Sequence, residues 1–318
     1  MNTRSKNHVE VDGKLFEKEY QQNSFRTYFR KNVLKKHPRL HSISQKLFLT
    51  SASLSGRFHM LPDFYIIGVV KGGTTSLYEY LIKHPQVSPP SGKEIDFYIQ
   101  FYSRGINWYK TWFPNKIKKN LMNSLKHEPL LSCDATPRYI EHPSVPQRIK
   151  NITPSAKFIL ILRNPIDRAY SHHNMNITTG HEPLSFEEAI DKESERIKGL
   201  YQKFIDEPNF FSWDYFLYAY KEHGKYVEKL EQWFKIFPKE QFLIFKSEDL
   251  FENPEKVYLD SLKFLGLKNF NLNQYYPFKK RTYVSPKMDP EIRKSLSEYF
   301  APYNQKLYSL LNRDFDWD

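Results

Sequence analysis

The run from Phe64 to Leu77, Phe-Tyr-Ile-Ile-Gly-Val-Val-Lys-Gly-Gly-Thr-Thr-Ser-Leu, limits what this chain can fold into more than any other stretch. Its apolar start predicts a buried strand near 64–70. A helix is predicted from about Thr74 to Lys83, where His84-Pro85 stops it. The loop between them holds two adjacent glycines and one lysine. Such a loop grips phosphate, because its N–H groups and those of the first helical turn point at the anion and the helix dipole favours negative charge. Gly72 and Gly73 let the backbone approach closely, and Lys71 adds a formal charge.

The loop departs from the nucleoside-triphosphatase pattern G-x-x-x-x-G-K-[ST]. Counting from Gly68, the second glycine falls correctly on Gly73, but the next residue is Thr74 and the lysine sits earlier, at Lys71. In those enzymes an acidic residue ending a neighbouring strand helps to hold magnesium. The matching strand here, Phe158 to Leu162, ends in Arg163-Asn164. Both departures predict phosphate held by protein cations and N–H groups, with no metal.

Further strands are expected at 130–134 and 242–245. Helices are expected at 144–150, from Pro165 onward, over 213–236, at 254–265 and at 289–312. Ser185 and Glu188 form a capping box. Strands alternating with helices predict an α/β fold, a P-loop-like central parallel β-sheet flanked by helices on both faces. Ligands of such sheets bind at the carboxyl ends of the strands, where Lys71 and Arg163 both fall.

The charge is uneven. Residues 1–60 carry 12 Lys and Arg against 4 Asp and Glu, so +8 of the net +12 precedes the loop. This divides the chain into a basic extension, 1–60, and a catalytic domain, 61–318. Between Arg26 and Arg39 the cations interleave with Phe25, Tyr28, Phe29, Val33 and Leu34. The pattern reads either as a packed, solvated helix or as one lying on an anionic membrane or an acidic glycan. No nucleic-acid-binding signature accompanies the charge, so that class of partner is not expected. The single cysteine, Cys133, excludes an internal disulfide, and no apolar stretch reaches the roughly 20 residues of a membrane span. Both point to a reducing, cytoplasmic setting, with peripheral membrane contact as an option.

These motifs resemble those of the PAPS-dependent sulfotransferases. Gly68-Val-Val-Lys71-Gly-Gly-Thr-Thr-Ser76 looks like their loop for the 5′-phosphosulfate of the donor, 3′-phosphoadenylyl sulfate (PAPS). Leu162-Arg163-Asn-Pro165-Ile-Asp-Arg168-Ala-Tyr-Ser171 looks like their 3′-phosphate site. Gly180 to Ala189, Tyr220 to Phe234 and Lys246 to Leu250 continue the likeness. Val284 to Pro290 and Asp314 to Trp317 resemble heparan sulfate glucosaminyl sulfotransferases. The resemblance implies that Lys71 stabilises the leaving phosphate and that Gly72, Gly73, Thr74, Thr75 and Ser76 hold the 5′-phosphate. It further implies that Arg163 and Ser171 hold the 3′-phosphate and that Arg281, in Lys280-Arg281, closes over the donor. Arg168 is open between a ligand contact and a structural role.

In the resemblance, Lys93-Glu94-Ile-Asp96-Phe-Tyr98 holds the general base, which implies Glu94, with Asp96 and Asp134 as runners-up. His84 is more simply a helix stop, His172-His173 a weak metal pair and Cys133 a buried strand residue. Several of the heparan enzymes place lysine before Thr-Pro where this chain has Ala135, so the acceptor recognition of those particular enzymes does not carry over. The expected reaction is transfer of a sulfuryl group from PAPS to a hydroxyl or amine of a carbohydrate or glycolipid. A P-loop kinase or NTPase, or a non-catalytic nucleotide-binding module, are the alternatives.

Overall fold

The structure, a computed structural model, describes residues 55–126, 128–276 and 288–317, without the side chains of 125 and 126. The basic segment up to residue 54, Arg281 and residues 284–287 lie outside the described residues. Gly56–Asp318 forms one compact unit.

Four parallel strands make the sheet: β1 (Phe64–Gly68), β2 (Cys133–Ala135), β3 (Lys157–Leu162) and β4 (Phe242–Lys246), in the order β2-β1-β3-β4. The chain leaves β1 for β2 on one side and then crosses back to β3 on the other. This change of direction opens a crevice at the carboxyl ends of β1 and β3.

Side chains of β1 alternate between two buried faces, which is why the strand reads as an unbroken apolar run. Phe64 and Ile66 pack with Ile159 and Ile161 of β3 against two helices, α1 (Thr74–Leu81) and, later in the chain, Pro254–Leu265. Tyr65 points the other way and stacks on Phe158, 5.8 Å between ring centres, with Trp233 set edge-on to Phe158 at 5.2 Å. Helices therefore cover both faces, as the alternation of elements predicts.

The expected boundaries hold within a few residues for α3 (Val145–Ile152), α4 (Pro165–Thr179) and the closing helix Pro290–Leu311, while α2 (Lys116–Lys126) is a helix that the sequence pattern did not lead us to expect. Pro165 opens α4, and the capping box at Ser185–Glu188 is formed in both directions. The one substantial correction is the long helix expected over 213–236. It is three pieces: Trp213–Tyr218, a 3-10 turn at Glu222–Gly224, and α5 (Tyr226–Phe234). The buried Glu193 carboxylate accepts the backbone N–H groups of Lys221 (2.6 Å) and Glu222 (2.8 Å). Those donors are withdrawn from a continuous helical ladder, and a tertiary contact overrides the apolar period.

Candidate active site

The phosphate loop takes its shape from the sheet beside it. The Val69 N–H donates to the Ile161 carbonyl of β3 (3.1 Å), and the Gly72 N–H to the Val69 carbonyl (2.9 Å). A Cβ at position 72 would stand 2.5 Å from the Ile161 oxygen, so only glycine fits against β3. Gly73, at φ 100°, is the N-cap of α1, a backbone that L side chains rarely adopt. Ser247, directly after β4, donates its hydroxyl to the Gly72 carbonyl (2.8 Å) and fixes the loop from the other side.

The two predicted donor motifs meet. Arg163, just past β3, donates a guanidinium N–H to the Lys71 carbonyl (3.1 Å). Its own carbonyl accepts the Tyr226 hydroxyl (2.8 Å), and Tyr226 packs on Trp317 at 5.9 Å. Asn164 caps α4, accepting the Ile166 N–H (2.9 Å), and Ser171 lies buried two turns further along that helix. Thr74 and Ser76 are buried in the first turn of α1. Lys71, Gly72, Gly73, Thr74, Thr75, Ser76, Arg163 and Ser171 thus belong to one crevice or to the helices that open from it.

Glu94 lies on the loop after α1, in the left-handed region at φ 57°, and Asp96 at φ 54°. Non-glycine residues seldom sit there, and they concentrate at functional sites. Lys93 reaches across to α1, donating to the Thr75 hydroxyl (2.7 Å) and to Glu94 Oε1 (3.0 Å). On the opposite side, Arg138 grips Asp96 with Nε and Nη2, and its Nη2 lies 3.8 Å from Glu94 Oε2. Each Glu94 oxygen thus faces a cation. The guanidinium also lies 5.4 Å from the ring centre of Trp213.

The runner-up bases are occupied otherwise. Asp134 is fully buried and accepts the hydroxyls of Tyr109 (2.7 Å), Tyr139 (2.9 Å) and Thr136 (2.7 Å). Burial raises its carboxyl to about 6 against these hydrogen bonds. It is closed off from any acceptor, a correction to its candidacy. Asp96 is spent on Arg138. His84 bonds its own turn at Gln86 and the Lys268 carbonyl (2.9 Å), as a helix stop does.

Arg168 is wholly buried and donates to the Tyr220 carbonyl, which favours the structural reading. His172 is buried beside it, its imidazole pushed well below the ordinary range by burial and then by Arg168 and Lys71. His173 bonds the Leu184 carbonyl (2.9 Å), and among the described residues no group of three or more His, Cys, Asp or Glu is arranged to hold a metal. Cys133 is a buried residue of β2.

Reading the sequence alone missed Arg138, Ser247 and Tyr226. Ser247 carried a usable signal, standing at the carboxyl end of a strand. Arg138 carried none, since 44 residues separate it from Glu94 in the chain.

A glycine-lysine loop and a strand-end arginine thus face each other at the carboxyl ends of a parallel sheet in an α/β fold. The chain belongs to the sulfotransferase family: residues 61–300 match the family described as the sulfotransferase domain. It is 30% identical to the membrane-associated sulfotransferase kil1 of Dictyostelium discoideum, over 84% of this chain and 69% of that protein. It is 29% identical to heparan sulfate glucosamine 3-O-sulfotransferase 3B1 of Mus musculus, over 81% of this chain and 65% of that one. The chain therefore spans about two thirds of the length of these relatives. The crystal structure of a sulfotransferase from Alicyclobacillus acidocaldarius superposes with a TM-score of 0.62 at 28% identity, covering 81% of this chain and 99% of the other. The protein is a sulfotransferase with the α/β fold expected from its sequence.

Proposed function

We propose that the protein moves a sulfuryl group from PAPS to a carbohydrate hydroxyl or amine, without a metal. The observation that carries this reading is the hydrogen bond between Arg163 and the Lys71 carbonyl, which sets two cationic loops at the ends of adjacent strands. That pair suits a donor with phosphate at both the 5′ and 3′ positions. The acceptor oxygen or nitrogen attacks sulfur in line as the bond from sulfur to the 5′-phosphate oxygen breaks, and Glu94 takes the acceptor's proton. Negative charge grows on the leaving phosphate, where Lys71 and the N–H groups of residues 73–75 stabilise it, with Gly72 letting the backbone approach and the Ser76 hydroxyl close by. Arg163 and Ser171 hold the 3′-phosphate, and Arg281 contributes from a segment outside the described residues.

A carbohydrate acceptor is supported by the heparan sulfate enzymes among the relatives. Several such enzymes resemble this chain but carry lysine before Thr-Pro, where it has Ala135, and positive charge near Glu94 comes from Lys93 and Arg138. The acceptor's contacts therefore differ from theirs. The chain's one cysteine, buried and reduced, suits a cytoplasmic site of action.

Calorimetric titration with adenosine 3′,5′-bisphosphate (PAP), beside ATP with magnesium, tests the donor. Tight metal-independent binding of PAP and little of ATP is the expected result. The reverse preference would falsify the donor assignment and favour a kinase or NTPase. PAP binding with no sulfuryl transfer to any member of a glycan panel would favour a non-catalytic nucleotide-binding module.

A further inference from the structure

Helix α2, Lys-Ile-Lys-Lys-Asn-Leu-Met-Asn-Ser-Leu-Lys, is amphipathic but turned the wrong way for a soluble surface. Ile117 and Leu121, one turn apart, are 70% and 56% exposed. Its lysines flank that stripe: Lys116 and Lys118 are exposed, Lys118 donating to Ser88 (3.3 Å), while the half-buried Lys119 pairs with Asp63 (2.6 Å). Beside the start of the helix runs the segment Gly56–Met60, held by the His59–Asn115 bridge and by the Met60 N–H on the Pro114 carbonyl (2.8 Å). It brings Phe58, 51% exposed, with Arg57 over its ring. Three of the eight large apolar side chains exposed among the described residues therefore gather in one region.

The same region is short of negative charge. Lys110, Lys116, Lys119 and Lys157 line an open cavity of about 570 Å³ with a single acid, Asp63, which Lys119 already engages. Lys110 and Lys116 have no acidic partner among the described residues. Burial and the neighbouring Lys116 also hold the Lys110 ammonium below its ordinary value. Such a cluster is relieved when an anionic surface covers it.

We propose that this face docks on an anionic membrane, with Ile117, Leu121 and Phe58 entering the interface and the lysines meeting the headgroups. An acidic polysaccharide satisfies the lysines and offers nothing to the apolar stripe. A second copy of this chain offers the stripe a partner and sets lysine against lysine. Asp63 precedes β1 and Lys157 begins β3, so the face lies at the amino ends of the strands. The phosphate loop opens at their carboxyl ends, about 17 Å away along a five-residue strand. A docked molecule therefore turns its donor site away from the bilayer, and the acceptor arrives from the aqueous side. A headgroup of the same membrane is out of reach.

The proposal does not depend on the identity of the acceptor and is tested by co-sedimentation of the full chain. The probes are phosphatidylcholine vesicles with and without about one third phosphatidylserine. Binding is expected to the mixed vesicles alone, to weaken with salt, and to fall about tenfold or more in the variant I117E/L121E. Both positions are exposed, so the variant should fold, and unchanged PAP affinity checks that it has. Absence of wild-type binding overturns the proposal. So does binding that I117E/L121E leaves intact, which assigns the membrane contact to other residues. A wild-type dimer that the variant converts to monomer also overturns it, by showing that a second copy covers the stripe.

Discussion

On the side of the crevice proposed for the donor, Lys71 and Arg163 stand on loops that leave adjacent, hydrogen-bonded strands, so the register of the sheet sets their spacing. On the side proposed for the acceptor, Glu94 stands on a loop outside the sheet, and two cations face its carboxylate: Lys93 from its own loop and Arg138 from the 3-10 turn after β2. Backbone hydrogen bonds of the sheet, the Val69 N–H on the Ile161 carbonyl and the Ser247 hydroxyl on the Gly72 carbonyl together hold the first half. In the second half the Asp96 carbonyl accepts the Gln100 N–H (2.8 Å), and ion pairs with Lys93 and Arg138 orient the carboxylates. The difference teaches that main-chain geometry places one pair of groups in this crevice while side-chain pairing across 44 residues of sequence places the other.

The comparison is broken most sharply at Arg163. Arg163→Ala should cut PAP affinity by roughly a hundredfold or more, read by calorimetry, because a charge-assisted contact is lost from a preformed site. Unchanged affinity would show that the 3′-phosphate lies elsewhere. Glu94→Gln should act on the other half alone. Turnover, followed by transfer of label from PAPS to a glycan acceptor, should fall by about a hundredfold, while PAP binding stays as in the parent.

Arg138→Ala should lower turnover by about tenfold, again without touching PAP binding. Because Arg138 and Asp96 act as one pair, adding Asp96→Asn should cost little more, a non-additivity that a double-mutant cycle measures. Full additivity would mean that the pair does not hold the Glu94 loop.

The smallest effect concerns stability beneath the site. Glu141 is wholly buried, and burial raises its carboxyl to about 8 from the ordinary 4.5, against the pull of Lys229 and Arg168. The native state then binds a proton that the unfolded chain releases. Its contribution is complete below pH 4.5 and is lost as pH rises through about 8. Melting temperatures of Glu141→Gln should therefore fall less than those of the parent between these values. Parallel curves would contradict a protonated Glu141.

Local pieces were legible because their cause is local. Strand, loop and helix from Phe64 to Leu81 follow from one apolar run, two glycines and a stop at His84. The second motif follows in the same way from β3, an N-cap asparagine and Pro165. The region from Trp213 to Phe234 misled because its apolar period suits a helix, while the Glu193 carboxylate that breaks it lies on a distant element. Asp134 looked as able a base as Glu94 because a sequence does not show that three hydroxyls enclose it.

By itself the sequence determined the phosphate loop, its arginine counterpart and the parallel sheet that joins them, since residues adjacent in the chain cause each of these. Only the tertiary structure decided that three hydroxyls enclose Asp134, that Arg138 stands beside Glu94, and that the apolar stripe of α2 points to solvent. Those outcomes depend on groups brought together from far along the chain, and their burial and pairing exist only once the whole core has closed.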